Sequence, residues 1–132
     1  MNALILDATE YTPLVILDPT NNRFEITGES SPEDSVQFYS LLGKWFKEFM
    51  DQAELSGNSP GAKEITLAFQ LSYITSSSLR SIYDLLSHVN ARKTESQLVK
   101  VKWVHDREDE DIANSGLQLS RMLKLPFEFV AR

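Results

Sequence analysis

Four consecutive hydroxyl side chains, Thr75-Ser76-Ser77-Ser78, are the first place where this 132-residue sequence could carry chemistry. They follow an extended apolar stretch and precede a helical one. At such a junction unpaired backbone N–H groups face outward and favour negative charge. A hydroxyl placed there has two uses. It can cap the helix, for which one side chain, Thr75 or Ser76, suffices. It can also accept a phosphoryl group, which brings roughly −1.5 to −2 charge and three acceptor oxygens.

The second place is the run His105-Asp106-Arg107-Glu108-Asp109-Glu110-Asp111, with five carboxylates in seven residues. Carboxylates before a helix favour its positive end, so a solvated helix start is the plainest reading. An acidic partner-facing patch and a metal-dependent site using His105 are the alternatives, the metal site ranking last. The run lacks the glycine and terminal glutamate of an EF-hand loop. Ser76, His105 and Asp106 could be written as a nucleophilic triad, but no nucleophile-elbow sequence surrounds Ser76. His88 lies between Leu86 and Val89 of a helical pattern and is expected to pack, partly buried. Walker, dinucleotide-fingerprint and zinc-protease patterns do not occur, and Gly28, Gly43, Gly57, Gly61 and Gly116 are too scattered to cradle a phosphate. Trp45, Phe46 and Phe49 fall on helical spacing and are expected in the core. No catalysis, cofactor or metal is expected.

Composition narrows the partners. Lysine and arginine number 13 against 19 acids, a formal net charge of −6 without any basic run, which argues against nucleic acid and anionic membrane surfaces. Apolar residues make up 42% and charged residues 24%, the ordinary globular mix. There is no cysteine, hence no disulfide, thiolate nucleophile or zinc–thiolate site. The opening MNALILDATEY has no basic flank and too short an apolar run for a signal peptide. No stretch approaches the ~20 apolar residues of a membrane span. A cytoplasmic protein of one domain, residues 1–132, is expected.

The elements that must position these groups follow from periodicity. Leu14–Leu17 and the alternating Phe24–Gly28, joined by Asp18-Pro19-Thr20-Asn21-Asn22, read as a hairpin. Ser31 is placed to cap a first helix with Pro32 at N1 and Glu33 and Asp34 in its first turn. Its apolar stripe is Phe38, Leu41, Leu42, Trp45, Phe49 and Ala53, widened by Tyr39, Phe46 and Met50. The breaker-rich stretch Ser56–Gly61 ends it. Ile65, Leu67, Phe69, Leu71 and Tyr73 alternate as one large apolar face of a strand. Leu79, Ile82, Tyr83, Leu86 and Val89 mark a second helix closed by Asn90–Lys93. Leu98–Val104 is a strand, His105–Asp111 a charged turn, and Ile112, Gly116, Leu119 and Leu123 a third helix. Leu125–Val130 is a terminal strand whose Pro126 marks a strand start or an edge. The order β-β-α-β-α-β-α-β implies an α/β layer fold with right-handed crossovers.

Several spaced markers together resemble a known family over nearly the whole chain. They are Thr12-Pro13 before a strand ending in Leu17-Asp18, then Phe24-x-Ile26-x-Gly28-x-Ser30-x-Pro32-Glu33-Asp34 leading into the aromatic helix with Trp45. Tyr73-x-x-Ser76-Ser77-Ser78-x-Arg80 follows, then Trp103, Glu108-Asp109-Glu110-Asp111 with Gly116, and Pro126-Phe127-Glu128. The sequence is similar to the SiaC family of bacterial regulatory phosphoproteins. That resemblance implies a STAS/SpoIIAA-like layer fold, a central mixed sheet flanked by helices. It implies a non-enzymatic partner-switching role in biofilm regulation. A SiaB-like kinase would phosphorylate the protein, a SiaA-like metal-dependent phosphatase would reverse this, and the unphosphorylated form would bind and activate a SiaD-like diguanylate cyclase that makes cyclic-di-GMP. Aligned through Tyr73 and Arg80, the family's acceptor position falls on Ser76, with Thr75 second. Tyr73, Thr75, Ser77, Ser78 and Arg80 are the implied partner-binding residues. An adaptor of the same fold that works without phosphorylation is the alternative.

Overall fold

The computed structural model describes residues 1–56, 64–94 and 97–132. Its elements, in chain order, are β1 (Leu4–Leu6), β2 (Leu14–Asp18), β3 (Arg23–Ser30), α1 (Ser35–Ser56), β4 (Glu64–Ile74), α2 (Ser76–Arg92), β5 (Leu98–His105), α3 (Glu110–Met122) and β6 (Phe127–Ala131). The six strands form one sheet in sequence order. β1, β2 and β3 pair antiparallel, and β3 through β6 pair parallel. The sheet is therefore mixed, as expected, with one short strand more than the sequence pattern indicates. Three residues of β1 carry no readable period, and the pairing of Leu4 with Leu17 supplies what local sequence does not.

Three crossovers step along the sheet in one direction, so connections of a single hand place all three helices on the same face. On that face Ile26, Phe69 and Trp103 line up across β3, β4 and β5. Phe24 beside them meets Trp45, Phe46 and Phe49 of α1, while Trp103 lies against Gly116 of α3. The buried residues form a core that joins this sheet face to the three helices. The opposite face carries small and polar side chains such as Thr27, Thr66, Ala68, Gln70 and Lys102, none of them fully buried. Strands covered on one face only must alternate, which is why their pattern is readable.

Local chemistry sets the helix boundaries. α1 starts later than expected: Asp34, not Ser31, is its cap, accepting the Gln37 amide at 3.0 Å. Ser31 is occupied elsewhere, its hydroxyl donating to the Glu29 carboxylate and its amide to the Tyr11 carbonyl at 2.8 Å. Leu41 of the expected stripe points outward, 48% exposed, because Tyr39, Leu42, Trp45, Phe46, Phe49 and Met50 already fill the buried arc. The side chain of Ala53 and the stretch 57–61 lie outside the described residues. No described helix is long and apolar enough to cross a membrane.

One irregularity positions the hydroxyl cluster. Between β3 and β4 the register runs Gly28 opposite Leu71, then Glu29 opposite Tyr73, so Ser72 is an extra residue on β4. Gly28 sits at this bulge with φ +117°, a conformation that an L side chain resists. The extra residue inverts the alternation beyond it. Tyr73, expected on the apolar face, is turned outward and 54% exposed, while Ile74 packs on the core opposite the buried Ser30.

Candidate functional site at the head of the second crossover helix

The parallel strands deliver their carboxyl ends to one edge of the sheet, the usual place for sites in such folds. Ser76 begins the helix after β4, and the acidic turn follows β5, so both lie on this edge. A shallow groove there is lined by Leu71 and Ser72 together with Asp106, Glu108, Asp109, Glu110 and Asp111.

The four hydroxyls have four different environments. Thr75 is the cap: its backbone is extended and its side chain accepts the Ser78 amide at 3.2 Å. Its own amide donates to the Ser30 carbonyl at 3.1 Å, tying the helix start to the end of β3. Ser76, the first helical residue, is exposed, and its hydroxyl makes no hydrogen bond among the described residues. Ser77 is exposed and lies 3.3 Å from the Thr75 hydroxyl. Ser78 is fully buried, with no hydrogen-bond partner for its hydroxyl among the described residues.

Ser78 is therefore not a surface contact, contrary to its expected partner-binding role. The signal was present: the buried stripe Ile82, Leu85, Leu86 and Val89, extended back four residues, lands on Ser78. The other implied residues remain at the surface. Tyr73 and Arg80 are exposed and Thr75 is half-buried. Arg80 lies one turn along the helix from Ser76, on the same side.

Beneath the cluster lie buried hydroxyl pairs that sequence reasoning missed. The Ser81 hydroxyl donates to that of Ser35 at 3.3 Å, joining α2 to the start of α1. Ser30 and the Tyr39 hydroxyl are 2.7 Å apart. Burial pushes the Tyr39 phenol up to about 12, with the Ser30 hydrogen bond working the other way. Each of these hydroxyls sits at a position that an apolar period alone would leave to hydrocarbon.

The acidic run behaves as a helix start. Asp109 caps α3 by accepting the Ile112 amide at 3.1 Å, and Glu110 and Asp111 occupy its first turn. Asp106 accepts the Glu108 amide at 2.9 Å. His105 makes its ring contact, at 2.9 Å, with the Asp106 backbone carbonyl and not with a carboxylate. Among the described residues no three His, Cys, Asp or Glu side chains converge as a metal site would require. His88 is exposed at the surface of α2, not partly buried as expected, because Leu85, Leu86 and Val89 take the inward positions.

The two helix starts differ in charge. α3 has two carboxylates in its first turn, whereas α2 has none, only hydroxyls. The family model described as SiaC family regulatory phosphoprotein matches residues 6–132. The chain belongs to the SiaC family. A protein of Pseudomonas aeruginosa (strain UCBPP-PA14) is 24% identical over 131 residues, covering 99% of this chain and 98% of the relative. Among solved structures, SiaC of Pseudomonas aeruginosa aligns over all of both chains with a TM-score of 0.80 at 23% identity. SiaC in its complex with the diguanylate cyclase SiaD, which it activates in that bacterium, aligns over 98% of this chain and 99% of the other, with a TM-score of 0.81 at 23% identity. These likenesses establish that this SiaC-family chain has the SiaC fold.

Proposed function

We propose that this SiaC-family protein is a non-enzymatic switch of one domain, residues 1–132. It is phosphorylated reversibly at Ser76 and, when unphosphorylated, binds and activates a diguanylate cyclase. The observation that carries the reading is the division of labour between Thr75 and Ser76. The Thr75 hydroxyl holds the helix cap, while the neighbouring Ser76 hydroxyl is exposed and makes no hydrogen bond among the described residues. Ser76 is thus the acceptor that a kinase can reach without breaking the fold, and Thr75 is the second choice. The likeness to SiaC bound to SiaD supports a cyclase as the partner. A SiaB-like kinase and a SiaA-like metal-dependent phosphatase would write and erase the mark in the cytoplasm, coupling it to cyclic-di-GMP and biofilm formation.

The physics of the switch is asymmetric. A phosphate at the first turn of α2 supplies the negative charge that this turn lacks, stabilising the helix by ~0.3–1 kcal/mol. The same phosphate buried in an interface without a partner costs several times more. It also adds to the field of the acidic turn on the same edge of a chain already at −6. Modification therefore leaves the domain folded and expels a partner that packs on Tyr73, Thr75, Ser76, Ser77 and Arg80.

Intact-mass measurement on protein from its own host, followed by fragmentation, tests the acceptor. One added phosphate localised to Ser76 supports the switch. Unmodified protein under every growth condition favours an adaptor that works without phosphorylation. With the cognate cyclase, Ser76→Ala should activate constitutively and Ser76→Asp should activate weakly. Equal activation by the two variants would overturn the proposal.

A further inference from the structure

From the Ser76 edge, α1 and α2 run side by side and leave a groove of about 440 Å³ along their outer seam. Gly43 lies in its floor, in the middle of α1. A glycine at a helix interior costs about 0.5–1 kcal/mol against alanine, so its presence calls for a reason. Internal packing does not supply one. A Cβ built at Gly43 would meet only the Leu85 side chain, at an ordinary 3.8 Å. What the missing side chain does is keep the seam open.

The lining has a definite chemical character. Among the described residues, Lys44, Lys47 and Arg92 border the groove against a single carboxylate, Asp84, in a chain whose overall charge is −6. Arg92 is paired with Asp51 at 2.9 Å, whereas Lys44 and Lys47 carry no ion pair among the described residues. At one end Val36 is 68% exposed, an apolar side chain with nothing over it. From Val36 to Met50 the lining follows α1 for about 21 Å at 1.5 Å per residue. That is the length of roughly four helical turns, and the groove is open along its outer side.

We infer that the groove between α1 and α2 is a docking site for an acidic amphipathic helix of a protein partner. Such a helix would bring an apolar side chain over Val36, approach closely at Gly43, and place carboxylates against Lys44 and Lys47. Helix-in-groove recognition combines apolar contact with flanking charge, and Val36 with Lys44 and Lys47 offers both here. Its Val36 end adjoins the hydroxyl cluster, and from there the groove runs along both helices away from Ser76; none of its lining residues belongs to that cluster.

The test uses the full-length protein labelled with nitrogen-15 and a synthetic amphipathic helix of about 18 residues, leucines at i, i+3, i+4 and i+7 and glutamates opposite. Saturable binding should shift the amides of 36–50 and 81–92, and the same peptide with lysine for glutamate should not bind. Lys44→Glu combined with Lys47→Glu should weaken binding at least about tenfold. Gly43→Leu should abolish it while the melting temperature holds or rises. If that variant fails to fold, the charge reversal decides alone. Binding indifferent to these substitutions, shifts confined to another surface, or no saturation at millimolar peptide would overturn the proposal. So would equal shifts with inorganic phosphate alone, which would make the groove a small-anion site.

Discussion

The Thr75 side chain oxygen accepts the Ser78 amide at 3.2 Å, while the hydroxyl of Ser76 between them lies at the surface with no hydrogen bond among the described residues. One residue serves the fold and its neighbour is available for chemistry. Removing the first should therefore cost stability and removing the second should not. Thr75→Ala is expected to lower the unfolding free energy by about 1 kcal/mol, the usual value of an N-cap. Ser76→Ala should stay within about 0.5 kcal/mol of the parent, as exposed substitutions do. Urea denaturation of the two variants separates them, and an equal loss in both would show that the cap is shared.

Charge at position 76 should act on binding and stability in opposite directions. The first turn of α2 contains no acidic residue. An aspartate at its first position meets the positive end of the helix and should raise stability by ~0.3–1 kcal/mol at low salt. Ser76→Asp is thus expected to melt no lower than the parent while losing affinity for the proposed cyclase partner. Calorimetry at low and at high ionic strength checks the first half, because the gain should shrink as salt screens it. A variant that melts well below the parent would mean that weak activation reports unfolding and not a switch.

How much of this was legible in the sequence depended on how regular the local pattern was. The hairpin, the three helices and the later strands declared themselves, since a sheet covered on one face alternates and its helices carry one apolar stripe. Tyr73 was misplaced because alternation was continued through β4 as if no residue were extra. The bulge at Ser72, set by pairing with Gly28 and Glu29, is a property of two strands and not of one. Ser78 was misread for the converse reason. A run of four hydroxyls looks like surface, yet the helical stripe running back from Ile82 reaches the third of its serines. Asp34 displaced Ser31 as a cap because both precede the same helix, and Ser31 is claimed by Glu29 through its hydroxyl and by Tyr11 through its amide. Long-range pairings of this kind leave no local mark.

Tyr39 provides a pH signature of the hydroxyl pairs under the site. Its phenol is pushed up to about 12 by burial, against an unfolded value near 10. A raised value on an acid means that the folded state holds the proton more tightly than the unfolded one. Its contribution is fully present below pH ~10, and stability should fall as the pH rises from there towards about 12. Absorbance titration should show one tyrosine ionising late, and Tyr39→Phe should remove it. The same variant leaves the buried Ser30 hydroxyl without its 2.7 Å partner, a loss of about 1–3 kcal/mol at neutral pH. Persistence of the late-titrating tyrosine in that variant would reassign it.

Gly116 shows the opposite use of glycine from Gly43, and the two should respond oppositely to alanine. A Cβ at Gly116 would lie 2.5 Å from Cδ1 and Nε1 of Trp103, inside any tolerable contact. The indole cannot retreat easily, since it is fully buried, packs tilted against Phe69 at 5.5 Å between ring centroids, and donates from Nε1 to the Ile112 carbonyl at 2.9 Å. Overpacking a core costs about 1–3 kcal/mol, and the helix preference for alanine over glycine returns at most about 1. Gly116→Ala should therefore be net destabilising and should change the tryptophan fluorescence of Trp103. Gly43→Ala meets Leu85 at 3.8 Å, so only the helix term applies, and stability should rise by about 0.5–1 kcal/mol. Chemical denaturation of both variants decides the matter. A loss at Gly43 comparable to that at Gly116 would mean that the α1–α2 seam is already closed by packing and has no room for a partner.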